Sequence, residues 1–234
     1  MSTSSILDTL QSYKKHIEDQ GYYVYCIMLK GSQNYNLSDE ESDIDANAIL
    51  IPKLADIRSN IKPKFTFPTG EVTCHNIYSF AEIVAKGNPQ WIEVCHTPYK
   101  IGKDISMFNH YVVNPSALKG MVMEKFVAFD KLYPSREVYV RKFGYDPKQL
   151  HHIIRLYDLL DKNAKVYQYS GEIREWMMKI KRGTLLTKEE AFALRDSYVV
   201  KLSEIYEIKK LNYKPQPVDY EAIDKIVMTY YKTL

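Results

Sequence analysis

The sequence predicts an α+β fold, a mixed β-sheet with flanking helices followed by an all-helical C-terminal half. Three observations carry this. Tyr22 to Leu29 and Ile44 to Ile51 are short runs dense in aromatic, branched and apolar residues, the composition and length of buried strands. Apolar residues at helical spacing precede them and dominate from about Asn114 onward. The pairs Asn114-Pro115 and Asp146-Pro147 each offer an N-cap residue with proline at the first helical position, so the later part reads as helix after helix. The division falls at 1–113 and 114–234.

The elements follow in order. Ile6, Leu7, Leu10, Tyr13 and Ile17 form an amphipathic stripe over 4–20 that ends at Gly21, where a left-handed cap belongs. The strand Tyr22 to Lys30 runs into Gly31-Ser32, and the strand from Ile44 stops at Pro52. Residues 62–68 mix lysine and proline with aromatics, the pattern of an edge strand or a loop. Glu71 to Tyr78 is a further strand, and 79–86 and 89–95 are short helices broken by Gly87-Asn88. The helical half comprises 115–132, 147 to about 167, 172–181, 187–211 and 218–232, with capping-box spacing at Thr187 and Glu190.

Composition narrows the class. The chain of 234 residues is 45% hydrophobic and 26% charged, ordinary for a globular protein with a sizeable core. A net charge of +3 neither demands nor excludes a nucleic-acid partner. Cys26, Cys74 and Cys95, odd in number and widely spaced, point to reduced thiols and a cytoplasmic location. No apolar run is long enough to span a membrane, and the start lacks the blocks of a secretion signal.

Candidate chemistry concentrates between Gly31 and Asp45. On a strand, Asp43 and Asp45 project to one face while Ile44 turns into the core. Two carboxylates so placed can share divalent cations, and two ions about 3.5–4 Å apart clamp both oxygens of an in-line displacement. Glycine at 31 lets backbone approach a polyphosphate, and the neighbouring N–H groups with the Ser32 hydroxyl can donate to it. The same acidic run also fits an ordinary solvated loop. An EF-hand fails, because neither register places glycine and glutamate at the required positions. Glu71, opening the next strand, is the candidate third carboxylate or an exposed strand-edge glutamate. In the helix after Pro147, Lys148, His152 and Arg155 fall within a stripe roughly 60° wide, opposite Leu150, Ile153, Ile154 and Tyr157. That stripe is either a phosphate grip or a solvated face. Cys74-His75 and Cys95-His96 match no common zinc spacing. P-loop, dinucleotide, zinc-protease and serine-hydrolase motifs are missing from the sequence.

Gly31-Ser32-Gln33-Asn34-Tyr35-Asn36-Leu37 through Ser42-Asp43-Ile44-Asp45 resembles the signature of the polymerase-beta-like nucleotidyltransferase superfamily, in its branch of predicted bacterial and phage nucleotidyltransferases. Lys86-Gly87-Asn88-Pro89 with Trp91-Ile92-Glu93, Gly144-Tyr145-Asp146-Pro147-Lys148 with His152-Ile153-Ile154-Arg155-Leu156, and Lys181-Arg182-Gly183 resemble later motifs of that branch in the same order, so the likeness spans roughly Leu29 to Ala193. It implies a nucleotidyltransferase-like sheet, with Asp43 and Asp45 as metal ligands and Gly31-Ser32 as the triphosphate turn. Tyr35, Ser42, Lys148, His152 and Arg155 are expected on the substrate side. Glu71 stands where the branch commonly has aspartate, and Asn36 where it prefers glycine, a position asparagine fills in a left-handed turn.

The implied activity is transfer of a nucleoside monophosphate from a triphosphate, ATP or CTP, to an acceptor hydroxyl with release of pyrophosphate. The implied cofactor is a pair of Mg²⁺ or Mn²⁺ ions, with Glu71 completing the site. Lys179, Lys181, Arg182, Lys209 and Lys210 would suit an RNA acceptor such as a tRNA 3′ end. A protein hydroxyl (AMPylation) or a small molecule such as an aminoglycoside fits the same site. The other classes left open are a non-catalytic nucleotide- or RNA-binding module and an antitoxin-like partner of a ribonuclease.

Overall fold

The computed structural model describes residues 3–40, 42–53 and 63–233. It forms two compact units, Met1–Val112 with Pro215–Leu234, and Val113–Lys214. The architecture is the expected α+β one.

In the first unit, α1 (Thr3–Asp19) leads into β1 (Tyr23–Lys30), a short 3₁₀ turn at Ser32–Tyr35, and β2 (Asp45–Ile51). Then come β3 (Lys64–Phe67), β4 (Gly70–Asn76), α2 (Ile77–Ala85), α3 (Pro89–Cys95) and β5 (Lys100–Gly102). The 62–68 segment is thus a strand over 64–67, while Lys62 lies outside the described residues. The sheet order is β3-β4-β2-β1-β5, and it is mixed: β2 runs parallel to β4, whereas the other neighbours are antiparallel. Alternation gives the sheet two apolar faces. One buries Ile27, Leu29, Ala46, Ala48, Leu50, Val72 and Cys74 against Leu10, Tyr13 and Ile17 of α1. The other carries α2 and α3.

Two helix starts in this unit repeat one device. The Asn76 side chain accepts from Ser79 N–H, which stops the strand two residues short of the expected Tyr78 and begins α2 at Ile77. Asn88 caps α3 in the same way, with Pro89 at its first position. The last helix, α9 (Tyr220–Tyr231), belongs to this unit rather than to the helical one: Tyr78 donates to Asp224 at 2.6 Å, Tyr220 to Glu82 at 3.2 Å, and Tyr231 to the Pro52 carbonyl. The structural division therefore differs from the cut at 113/114 by returning 215–234 to the sheet.

The second unit holds α4 (Pro115–Val127), α5 (Glu137–Phe143), α6 (Pro147–Asp161), α7 (Gly171–Arg182) and α8 (Lys188–Asn212). Its centre is α6, packed on α4, α7 and α8, with Ile153, Leu156 and Leu159 meeting Leu118, Val122 and Leu202. Asp146, fully buried, caps α6 by accepting from Lys148 N–H at 2.9 Å and also takes the Gln149 amide at 3.2 Å. Thr187 and Glu190 form the full capping box of α8.

Candidate active site

Gly31 ends β1 at φ 91°, a conformation glycine adopts without strain, and this bends the chain into the 3₁₀ turn. The first N–H groups of such a turn have no partner inside it, which makes Ser32 and Gln33 the natural donors to an anion. Asn36 closes the turn in the left-handed conformation, φ 60° and ψ 35°, the role expected of it. Tyr35 is buried at the end of the turn.

The chain then reaches Ser42 through a clasp that the sequence did not reveal. The Ser42 hydroxyl donates to Asp39 Oδ1 at 2.6 Å and accepts from Asp39 N–H at 3.0 Å. The Gln33 amide, buried in the turn, donates to the Ser42 carbonyl at 3.1 Å. Turn and acidic segment are therefore tied together. Ser42, expected on the substrate side, serves as a joint in the loop.

Ile44 is 1% exposed and packs in the α1-side cluster, while Asp43 is exposed and Asp45 half-buried at the start of β2. The alternation expected of the Asp-Ile-Asp run is present. Its register is fixed by the β3–β4 hairpin, where Ile44 N–H donates to the Thr69 carbonyl at 2.7 Å. Gly70 lies so close to this contact that a Cβ there would sit 2.4 Å from the Ile44 carbonyl oxygen. The Tyr13 hydroxyl is 2.7 Å from that of Thr69, holding the hairpin to α1.

Glu71 follows Gly70 on β4. Because Lys30 pairs with Asp45 across the β1–β2 ladder and Ala46 with Val72 across β2–β4, the residues Lys30, Asp45 and Glu71 form a row at one end of three neighbouring strands. The backbone brings the two acids together: Asp45 Oδ1 accepts from Glu71 N–H at 3.1 Å. The Glu71 side chain is otherwise occupied. Lys30 Nζ stands 3.3 Å from its Oε1 and Lys64 Nζ 2.5 Å from its Oε2. Among the described residues, no three His, Cys, Asp or Glu side chains form a group that could hold a metal ion.

Electrostatics separate the two acids. Burial pushes the Asp45 carboxyl above the ordinary carboxylate range, against the pull of the Glu71 N–H and of Lys30. Hydrogen bonds from Lys64 and then Lys30 hold the Glu71 carboxyl below that range, against its partial burial. As a donor set for a divalent ion, Asp43 and Asp45 fit: Mg²⁺ takes one or two carboxylates and completes its shell with water and phosphate oxygens. Glu71, expected as a third ligand, has both oxygens beside lysine ammonium groups in this arrangement.

The expected basic stripe is divided. Lys148 is exposed and His152 half-buried, but Arg155 is only 3% exposed and His151 beside it 2%. The reason is that α6 has helices on several sides, so its basic residues do not share one solvated face. Burial, with help from Arg155, Lys181 and Lys148, lowers the His151 imidazole to about 3, and burial lowers His152 as well. These residues belong to the helical unit, and the acids to the sheet unit.

No family model matches the chain, and no curated protein matches it. Among solved structures it is similar to the crystal structure of a nucleotidyltransferase-like protein from Exiguobacterium sibiricum 255-15, at 13% identity and a TM-score of 0.32, over 87% of this chain and 75% of that one. No helix among the described residues is long and apolar enough to cross a membrane. The functional reading therefore rests on the chain's own residues.

Proposed function

We propose that the chain is a metal-dependent nucleotidyltransferase that moves a nucleoside monophosphate from a nucleoside triphosphate, ATP or CTP, to an acceptor hydroxyl. The observation that carries this reading is the Asp43-Ile44-Asp45 alternation at the start of β2, tied through Gln33 and Ser42 to the Gly31-Ser32 turn. An anion-binding turn and a cation-binding carboxylate pair are thus held in one short segment.

The residues divide the work by chemistry. Asp43 and Asp45 would hold a divalent ion, Mg²⁺ or Mn²⁺, which when bound screens the triphosphate and polarises the phosphoryl group to be transferred. Gly31 and Ser32 present N–H and hydroxyl donors to the outer phosphates. Asp45 is oriented by the Glu71 N–H, so its carboxylate is set before substrate arrives. In the reaction the acceptor oxygen forms a bond to the α-phosphorus, and the bond from that phosphorus to the bridging oxygen breaks. The electron pair stays with pyrophosphate, and the hydroxyl proton passes to solvent.

An RNA 3′ end is the acceptor we favour over a protein hydroxyl or a small molecule, because Lys179 and Arg182 near the end of α7 and Lys210 near the end of α8 are exposed cations on one helical unit. The test is to incubate the chain with labelled triphosphates and Mg²⁺ or Mn²⁺, supplying total RNA, the protein itself and a metabolite extract in separate arms. Label should enter RNA, and Asp43→Asn or Asp45→Asn should lower transfer by at least about 10²-fold with the fold intact. Wild-type turnover in either variant removes the proposal. One observation favours a second reading, a module that binds nucleotide without transferring it: the Glu71 carboxylate is tied to lysines. Such a module would bind the triphosphate and release no pyrophosphate.

A further inference from the structure

The Lys30, Glu71 and Lys64 side chains form a bridged ion pair at the end of the sheet where Asp45 begins β2, and the sequence motif assigns neither lysine a role. Lys30 is the last residue of β1, directly before Gly31, so its ammonium is anchored one residue from the turn proposed to hold phosphates. Lys64 reaches Glu71 from β3, the neighbouring edge strand. We propose that Glu71 is a positioning residue that holds Lys30 and Lys64 as a pair of phosphate-binding cations, and that the site takes one divalent ion, through Asp43 and Asp45, rather than two.

This rests on the nucleotidyltransferase reading and deepens it. Three physical arguments support it. A metal ion competes with any cation already beside a carboxylate, and each Glu71 oxygen already faces an ammonium, at 3.3 Å and 2.5 Å. Turning Glu71 onto a metal would cost it both lysines and leave two ammonium groups beside the incoming ion. Charge balance points the same way. Asp43, Asp45 and Glu71 against Lys30 and Lys64 leave one net negative charge, so a single divalent ion makes the site modestly cationic, suited to a polyphosphate. A second ion would add two more positive charges, and among the described residues no three His, Cys, Asp or Glu side chains form a group that could hold a metal ion. Lastly, a lysine is a compact, rotatable point charge well suited to phosphate oxygens, and a carboxylate at its base keeps it aimed while leaving donor capacity on the ammonium.

The experiment counts ions and separates metal from phosphate binding. Mn²⁺ is titrated into the full chain and followed by electron paramagnetic resonance, without nucleotide and with saturating α,β-methylene-ATP. The affinity for that analogue is measured separately at fixed Mg²⁺. The wild-type chain should bind one Mn²⁺ beyond any held by the free analogue. Asp45→Asn should weaken Mn²⁺ by tenfold or more. Glu71→Gln and Lys30→Met should leave Mn²⁺ affinity within about threefold and weaken the analogue about tenfold, while Lys30→Arg restores most of the analogue affinity. A Glu71→Gln chain that loses Mn²⁺ tenfold, or a wild-type chain that binds two ions and loses one on that substitution, overturns the proposal and leaves the nucleotidyltransferase reading standing. A folded wild-type chain that binds neither Mn²⁺ nor the analogue overturns both.

Discussion

The end of the sheet and the helix α6 handle charge in opposite ways. At the sheet end, Lys30, Asp45, Glu71 and Lys64 are half-buried or exposed, and close contacts join them: carboxylate to ammonium, carboxylate to backbone N–H. In α6, His151 and Arg155 are enclosed, and among the described residues neither nitrogen of His151 has a hydrogen-bond partner. Partly solvated, mutually paired charges can exchange partners for a ligand at modest cost. An enclosed imidazole stays neutral and is part of the packing. The difference teaches where to look for binding: at the sheet end, substitutions should change ligand affinity more than stability, and on α6 the reverse.

The severest way to break that contrast is to distort the backbone under the acids. Gly70→Ala forces a Cβ into the Ile44 carbonyl at a positive φ, and it should cost about 3 kcal/mol in urea unfolding and misplace Asp45 as well. Next comes the helical side. Asp146→Ala removes a fully buried cap and should lower stability by about 2 kcal/mol, through a lower urea midpoint at unchanged slope. The His151 imidazole titrates at about 3 when folded and near 6.5 when unfolded. Between those values the unfolded chain holds the extra proton, so stability falls as pH drops, by up to about 1.4 kcal/mol per pH unit. His151→Leu should flatten that slope, leaving the part due to His152. A slope unchanged in the variant would remove the contrast between the two regions. The smallest effect is Lys64→Met: an exposed ion pair is worth under about 1 kcal/mol, and the loss should shrink further in high salt.

Local signals in the sequence were legible where one residue decides the outcome. Asn114, Asp146 and Thr187 cap the helices they were expected to cap, and Ile44 is buried between Asp43 and Asp45. Elements without such a signal were missed. Strand β5 has three residues and exists through its pairing with β1, and α5 begins at Glu137 after Arg136, which makes no side-chain cap bond. Helix α6 ends at Asp161, before the expected 167, as Asn163 turns left-handed; α4 ends at Val127 rather than 132, and the Phe129 carbonyl just beyond it accepts from Asp146 N–H. The partners of Glu71 could not be read at all, because they depend on a strand order in which β1 and β4 flank β2 and β3 lies beyond. The same holds for α9, whose bond from Tyr78 to Asp224 joins residues 146 apart.

Because α9 rejoins the sheet unit, the helical unit is an insertion tethered at both ends to one body. Trimming the chain from its C-terminus would strip the sheet of its Tyr220 and Tyr231 bonds before it reached any helix of the insertion. Excising 113–214 and bridging the gap with a flexible linker would instead test whether the sheet and its acids can fold by themselves. Shortening from the end and cutting out the middle are therefore different operations on this protein.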